Sequence, residues 1–310
     1  MSLYQDRFYN HFSKNLRQDH KQLIEDKNYL MRFNTVLPYS YSKKQNALSI
    51  VYSNTIKTMN LVTPKSSAKL QRNHFAILNP YTDWEFFCSN QERVDVMSFL
   101  LSADLMAKFS YYVYSSSESK LDQPFDTTDY DAFFIESIYK AEHNQSGQFL
   151  QGLFEKSNTD AFEFISPDDA VFEFLEILYK EHLYYNSRIK RIKGKKTSTK
   201  REVFKRIIKA HEYLNDSFED HKITMEELAL VCGLSEFHLY SAFKAVFQKT
   251  PHQYLNALRM QRAKAYLELG LLSISEISDK LLFPDVQTFS KLFKKTYGFA
   301  PSKLALIKKT

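Results

Sequence analysis

The feature that most limits this 310-residue chain is a repeat in its last third. Thr224-Met225-Glu226-Glu227-Leu228-Ala229 and Ser273-Ile274-Ser275-Glu276-Ile277-Ser278 each set a hydroxyl residue three positions before a glutamate. That spacing is a capping box, in which two side chains satisfy orphan N–H groups at a helix start. Ser235 and Asp285, both good N-caps, open a second helix in each copy. Each copy then carries a Phe-Lys pair, Phe243-Lys244 and Phe293-Lys294, and a proline eight residues past that phenylalanine, Pro251 and Pro301. Helix, tight turn and helix, twice over, is the layout of a tandem helix-turn-helix.

Between the copies, Thr250-Pro251 opens a helix that Gly270 ends. Leu255, Leu258, Ala263, Tyr266 and Leu267 give it a core-facing stripe. At 1.5 Å per residue, Pro251 to Leu269 spans about 28 Å. One turn of B-DNA is ~34 Å, so such a helix can hold two recognition helices in successive major grooves.

Charge points the same way. Residues 188–310 carry 24 Lys and Arg against 12 Asp and Glu, whereas residues 1–187 carry 18 against 24. The net +6 of the whole chain conceals a basic third suited to a polyanion. The plainer reading of that charge is a solvated surface without a partner. Residues 188–200 hold seven Lys and Arg and no acid, with Gly194 and Thr197-Ser198-Thr199, and read as an exposed basic linker. The expected division is therefore 1–187, a linker 188–200, and 201–310.

Other classes are disfavoured. Only 6 glycines occur, and no G-x-G-x-x-G, G-x-x-x-x-G-K-[ST] or G-x-S-x-G motif. Two cysteines, Cys88 and Cys232, make neither a disulfide framework nor a cysteine zinc site. No apolar run approaches the ~20 residues of a membrane span. The first residues show no secretory pattern, so a cytoplasmic protein is expected.

Ahead of the linker the pattern is β-like. Ala47–Tyr52, Phe75–Leu78 and Val94–Leu100 are β-branched or aromatic runs, separated by turn signals at Asn79-Pro80 and Ser89-Asn90. Ser115 to Asp131 reads as a polar loop. From Ser166-Pro167 the period becomes helical, for 20 residues or more, with a stripe of Phe172, Leu175, Leu178 and Leu183. That stripe suits pairing with a second copy across a two-fold axis, or packing on its own sandwich.

Over about residues 201–308 the chain resembles the DNA-binding domain of the AraC family of bacterial transcription regulators. The resemblance rests on both capping boxes, Leu228-Ala229, Cys232-Gly233-Leu234-Ser235, Phe243-Lys244, Thr250-Pro251, Arg259-Met260-Gln261-Arg262-Ala263 and Phe293-Lys294 followed by Tyr297-Gly298 and Pro301. It implies sequence-specific binding of double-stranded DNA, with base-edge positions at Phe237, Tyr240 and Ser241 in the first recognition helix, beside Glu236 and His238. In the second helix they fall at Val286, Gln287, Thr288 and Lys291. Gln287 suits adenine N6/N7 and Lys291 guanine O6/N7, while Phe237 and Tyr240 favour thymine methyls. Lys244, Lys249, Lys294 and Lys295 are the phosphate candidates. Phe237 has a plainer reading as local core, and Lys291 as a solvated lysine. One departure is Leu282-Phe283-Pro284, where the family has a turn glycine before an aromatic; leucine is disfavoured at positive φ, so a distorted turn is expected.

Family members often carry an N-terminal cupin-like sandwich that senses a ligand or dimerises, and residues 1–165 are similar to one. The expected fold is thus α+β, a cupin-like β-sandwich with helices followed by an all-α tandem helix-turn-helix. Tyr52, Trp84, Phe86 and Phe99 are candidate pocket residues, or simply sandwich core. A homodimer, RNA polymerase and a small-molecule effector are the further partners this resemblance suggests. The rival is a ligand-binding or metal-dependent cupin enzyme with an accessory basic domain. Its metal site needs a His-x-His pair on one strand, and the 9 histidines, among them His74, His143, His182 and His211, include none. No enzyme, cofactor or metal site is expected.

Overall fold

A computed structural model describes residues 8–13, 28–35, 39–43, 47–56, 58–63, 66–80, 82–88, 93–114, 134–159 and 164–306. The turn expected at Ser89-Asn90 and the loop expected from Ser115 to Asp131 lie outside the described residues. The chain divides into two compact units, residues 1–183 and 184–310.

The first unit is built on two sheets. One has the order β1 (Phe8–Ser13), β2 (Asn28–Thr35), β9 (Val94–Ser102), β4 (Ala47–Ser53), β7 (His74–Leu78) and β10 (Ser137–Lys140). The other has the order β3 (Tyr39–Lys43), β8 (Trp84–Cys88), β5 (Met59–Thr63) and β6 (Ser66–Leu70). β1 and β2 run parallel, and the remaining ladders are antiparallel. One core joins the sheets: Tyr29, Met31, Val51, Ala76, Leu78, Val96 and Leu100 from the first meet Met59, Leu61, Leu70, Trp84 and Phe86 from the second. This is a two-layer sandwich, as expected.

The six-stranded sheet is covered on its other side as well, by α1 (Ala103–Tyr114), α2 (Gln145–Lys156) and the N-terminal part of α3 (Pro167–Ile189). Alternation along a strand sends neighbouring side chains to opposite faces. Phe99 therefore leaves the sandwich and stacks on Phe174 of α3 at 5.0 Å, and Tyr52 meets Phe154 of α2 at 5.4 Å. Every residue of β4 is buried because both faces of its sheet are packed.

Of the two alternatives for the α3 stripe, the structure shows packing on its own unit. The apolar side of α3 is spent within its own unit: Val171, Phe174, Leu175 and Leu178 are buried, Phe172 is half-buried, and only Leu183 of the expected stripe is exposed. It is not a free face for a second copy. The segment 188–200 is exposed over most of its length and anchored at two points. α3 continues to Ile189, α4 (Thr197–Ser217) begins seven residues later than Lys190, and Ile189 and Ile192 are buried. Two isoleucines three positions apart tie the segment down while its cations stay at the surface.

One buried charge pins α2 to the sheet. Arg32 of β2 pairs with Asp95 of β9, Nη2 to Oδ1 at 2.9 Å, and donates through Nη1 to Asn158 Oδ1 at 2.7 Å and to Ser157 Oγ. Its guanidinium also lies 4.0 Å from the Phe154 ring centroid. Removing one partner of such a pair strands the other charge, at a cost of about 3 kcal/mol. Arg32→Met is expected to lower the unfolding free energy of the first unit by that amount, seen as a lower urea midpoint read from Trp84, the single tryptophan, which is buried in the sandwich. An unchanged midpoint would show that the pair holds nothing in place.

The second unit is helical: α4, α5 (Met225–Cys232), α6 (Glu236–Phe247), α7 (Pro251–Leu269), α8 (Ile274–Lys280), α9 (Val286–Tyr297) and α10 (Pro301–Leu306). α6 and α9 start at the caps expected from the sequence, and α7 has the bounds expected from it. The second turn is not distorted. Leu282 takes φ 59 where the first turn has Gly233 at φ 65. The hydrogen bonds match too: Gly233 N to Leu230 O and Leu234 N to Ala229 O in one, Leu282 N to Asp279 O and Phe283 N to Ser278 O in the other. The leucine absorbs the left-handed conformation at a steric cost, and the turn keeps its Schellman form. Pro284 adds one residue before the next cap, since Ser235 lies two positions after Gly233 but Asp285 three after Leu282. A Cβ on Gly233 would meet only Arg206 Nη1, at 3.8 Å. Gly233→Ala is therefore expected to cost about 1 kcal/mol through backbone conformation alone, with an unchanged denaturant slope.

Candidate nucleic-acid interface

Each reading element is assembled from local chemistry. Thr224 Oγ1 accepts from Glu227 N at 3.1 Å, and Glu227 Oε2 accepts from Thr224 N at 3.3 Å, which fixes the start of α5. Ser273 and Glu276 repeat this at α8 at 3.2 and 2.7 Å. Ser235 Oγ accepts from His238 N at 3.3 Å to open α6, and Asp285 Oδ1 from Thr288 N at 2.6 Å to open α9. A third capping box, Thr250 with Gln253, starts α7. Its signal, a hydroxyl followed three positions later by glutamine, was present in the sequence.

Helical period then sorts the side chains. In α6, Leu239, Ala242, Phe243 and Val246 are buried, while Phe237 is 74% and Tyr240 51% exposed. Glu236, His238 and Lys244 share the outer surface, and Ser241 is half-buried. Phe237 is thus not local core. In α9, Phe289 and Phe293 are buried, Gln287, Thr288 and Lys291 are exposed, Val286 is half-buried, and Lys294 and Lys295 are exposed in the last turn. Thr288 Oγ1 donates to Asp285 Oδ2 at 2.9 Å, so its proton is engaged, while its methyl and its oxygen lone pairs remain. Lys249 stands exposed just past α6.

What holds the two elements on one frame is a set of contacts that the spacing alone did not reveal. On one side of α7, Tyr254 Oη lies 2.7 Å from His211 Nε2 of α4, and His211 stacks on Phe247 at 4.4 Å. In the middle, Arg259 is buried and donates from Nε to Phe218 O at 3.2 Å, beside the Phe283 ring of the second turn. Burial pushes its pKa down from the ordinary arginine value. Arg262 pairs with Glu219 at 2.8 Å, and Tyr266 Oη donates to the same carboxylate at 2.5 Å. From the second element, Tyr297 Oη donates to Met260 O at 3.1 Å.

The four aromatic residues expected to line a pocket in the first unit are not brought together. Trp84 and Phe86 lie in the sandwich core, 5.0 Å apart, whereas Tyr52 and Phe99 lie on the opposite face of the six-stranded sheet. Tyr52 Oη donates to Asn73 Oδ1 at 3.1 Å, and burial, with Glu155 nearby, pushes its pKa up to about 12. The sheet separates the two pairs, so they cannot bound one cavity.

The capping carboxylates give the second unit a pH response. Glu227 is held below the ordinary carboxylate range by the hydroxyl of Tyr213 and by His221, Glu276 by the backbone and hydroxyl of Ser273, and Asp285 by the backbone and hydroxyl of Thr288. A carboxyl whose folded pKa is depressed contributes fully above its unfolded value, near 4, and loses that contribution as pH falls through the folded value. The urea midpoint of the helical transition is therefore expected to fall below about pH 4.5, and to fall less steeply in Asp285→Asn, measured by far-UV ellipticity. An identical decline in the variant would remove Asp285 from this role.

Residues 228–305 match the family model described as a helix-turn-helix domain, of the AraC type. The "F1 operon positive regulatory protein" of Yersinia pestis is 34% identical over 96 residues, 31% of this chain and 32% of that protein. The "MmsAB operon regulatory protein" of Pseudomonas aeruginosa is 32% identical over 92 residues, 30% of each. Among solved structures, a probable AraC family transcriptional regulator from Rhodopseudomonas palustris aligns with 33% of this chain and 94% of its own, at 20% identity and a TM-score of 0.31. The chain spans about a third of the length of these curated relatives. Among the described residues, no helix is long and apolar enough to cross a membrane.

Proposed function

We propose that this chain, which carries an AraC-type helix-turn-helix domain over residues 228–305, is a sequence-specific DNA-binding transcription regulator of the cytoplasm. The observation that carries the reading is the pair of outward faces on α6 and α9, each on a capped helix and both mounted on α7. α6 and α9 enter successive major grooves. Phe237, Tyr240 and Ser241 press thymine methyls or offer single hydroxyls, while Gln287 and Lys291 make the directional hydrogen bonds that separate adenine and guanine from their alternatives. Val286 and the Thr288 methyl add apolar contact. Lys244, Lys249, Lys294 and Lys295 hold the backbone.

The first unit acts in this reading as a sensing or assembly module rather than an enzyme, and its two-sheet sandwich is compatible with the cupin-like resemblance. Homodimerisation falls to a surface other than the buried side of α3. RNA polymerase and a small effector are partners the reading accommodates without assigning them a surface.

Selection of duplexes from a random pool by the full chain tests the proposal. The expected result is two short motifs about one helical turn apart, ~34 Å. On the selected duplex, Gln287→Ala or Lys291→Ala is expected to cost ~1–3 kcal/mol and to relax discrimination at one or two base pairs. Lys294→Ala is expected to weaken all duplexes alike and to lower the salt slope by about 1. Uniform weakening by Gln287→Ala would overturn the assignment of bases to α9, and a pool without enrichment would overturn the function.

A further inference from the structure

The first recognition helix ends on an unusual residue. Gln248 follows α6 at φ 58, in the left-handed region that disfavours any side chain with a Cβ. That side chain is engaged. With its oxygen turned toward them, the Gln248 carboxamide meets Nη1 of Arg188 at 2.8 Å and Nη1 of Arg191. A neutral amide thus gathers two like charges beside Lys249, with Lys244 one turn back along α6. Among the described residues, none of these four cations pairs with a carboxylate.

The arginines are also held in place. Ile189 and Ile192 are buried around them, Arg188 lies 4.7 Å from the Tyr184 ring, and Lys200 Nζ closes the turn by donating to Lys190 O at 3.1 Å. From Arg188 to Arg201 the sequence has 8 Lys and Arg and no Asp or Glu. A solvated tether needs neither buried isoleucines nor a side chain at a disfavoured φ to position its charges. A guanidinium pair fixed around one oxygen acceptor is the arrangement that binds a phosphate, whose oxygens accept from the fork in the same way and add the charge the amide lacks.

We infer that Arg188 and Arg191 bind backbone phosphates beside the groove entered by α6, so that the DNA interface extends through the basic segment 188–201. This rests on the reading of α6 as a DNA-reading helix. Neutralising two further phosphates predicts a salt slope steeper by about 1.8, at 0.9 per contact.

The test uses the full chain and the duplex that the wild-type chain selects, extended by random sequence on both sides. The double variant Arg188→Gln/Arg191→Gln is expected to bind on the order of tenfold more weakly at low salt, to lose about 1.8 from the salt slope, and to weaken selected and unrelated duplexes alike. Hydroxyl-radical footprinting is expected to show lost protection just outside the α6 half-site. Arg188→Lys/Arg191→Lys keeps the charge and is expected to restore most of the slope, which separates phosphate binding from a folding defect. Wild-type slope and footprint in the glutamine variant, with sequence selection intact, would overturn the inference alone. A wild-type chain that selects no duplex would overturn it together with the functional reading.

Discussion

The architecture of the helical unit depends on α7, and within it on one buried guanidinium. Leu255, Met260, Ala263 and Leu267 are buried along this helix, yet so is Arg259. A cation in such a place is costly, and its depressed pKa shows the cost. It is retained where two halves converge, with Phe218 O from the end of α4 receiving its Nε and Phe283 of the second turn beside it. Arg262, Tyr266 and Glu219 reinforce the first side, and the Tyr297 bond to Met260 O the second. A helix joined to its neighbours only by apolar packing can rotate by small steps. Directional bonds on both sides remove that freedom, and spacing between two reading heads is useful only if it is fixed.

Local chemistry was legible, and tertiary pairing was not. The caps at Thr224, Ser235, Ser273 and Asp285 could be read because each needs only residues within one turn. The starts of α6 and α9 followed from Ser235 and Asp285, and the bounds of α7 from Thr250-Pro251 and Gly270. Leu282 shows the limit of the same method. Its unfavourable φ was foreseen, but the consequence was not, because the hydrogen bonds of the turn and its packing outweigh the strain of one residue. Which residues of a strand share a face is local too. Tyr52 and Phe99 were grouped with Trp84 and Phe86 because an aromatic run does not say which face meets a partner sheet. With helices on the far side, β4 is buried throughout and the alternation that would mark the inner face is erased.

The cover of the α3 stripe and the anchoring of the basic segment after it were left open for a related reason. Apolar positions at helical spacing state that a face will be covered, never by what. Phe99 supplies the cover for Phe174, and a second copy is not needed there. Between Arg188 and Lys200, charge dominates the composition so strongly that Ile189 and Ile192 were passed over. Two buried isoleucines in a run otherwise made of Lys, Arg, Gly, Ser and Thr are the signal that the segment is folded.

The two reading heads differ in a way that makes that fold useful. α9 carries Lys291, Lys294 and Lys295 on its own length, so under the proposed function one helix holds both its base and its phosphate candidates. α6 offers Phe237, His238, Tyr240 and Ser241, with Lys244 as its lysine and Lys249 just beyond. Apolar contact with thymine methyls discriminates weakly and supplies little of the electrostatic affinity on which groove entry depends. In the proposed reading, a helix of this composition gains from cations elsewhere in the chain. The C-terminal end of α6 is where Gln248 positions Arg188 and Arg191, and the chain already passes there on its way into α4. In the proposed reading, the segment that joins the two halves of the protein supplies phosphate anchors beside α6.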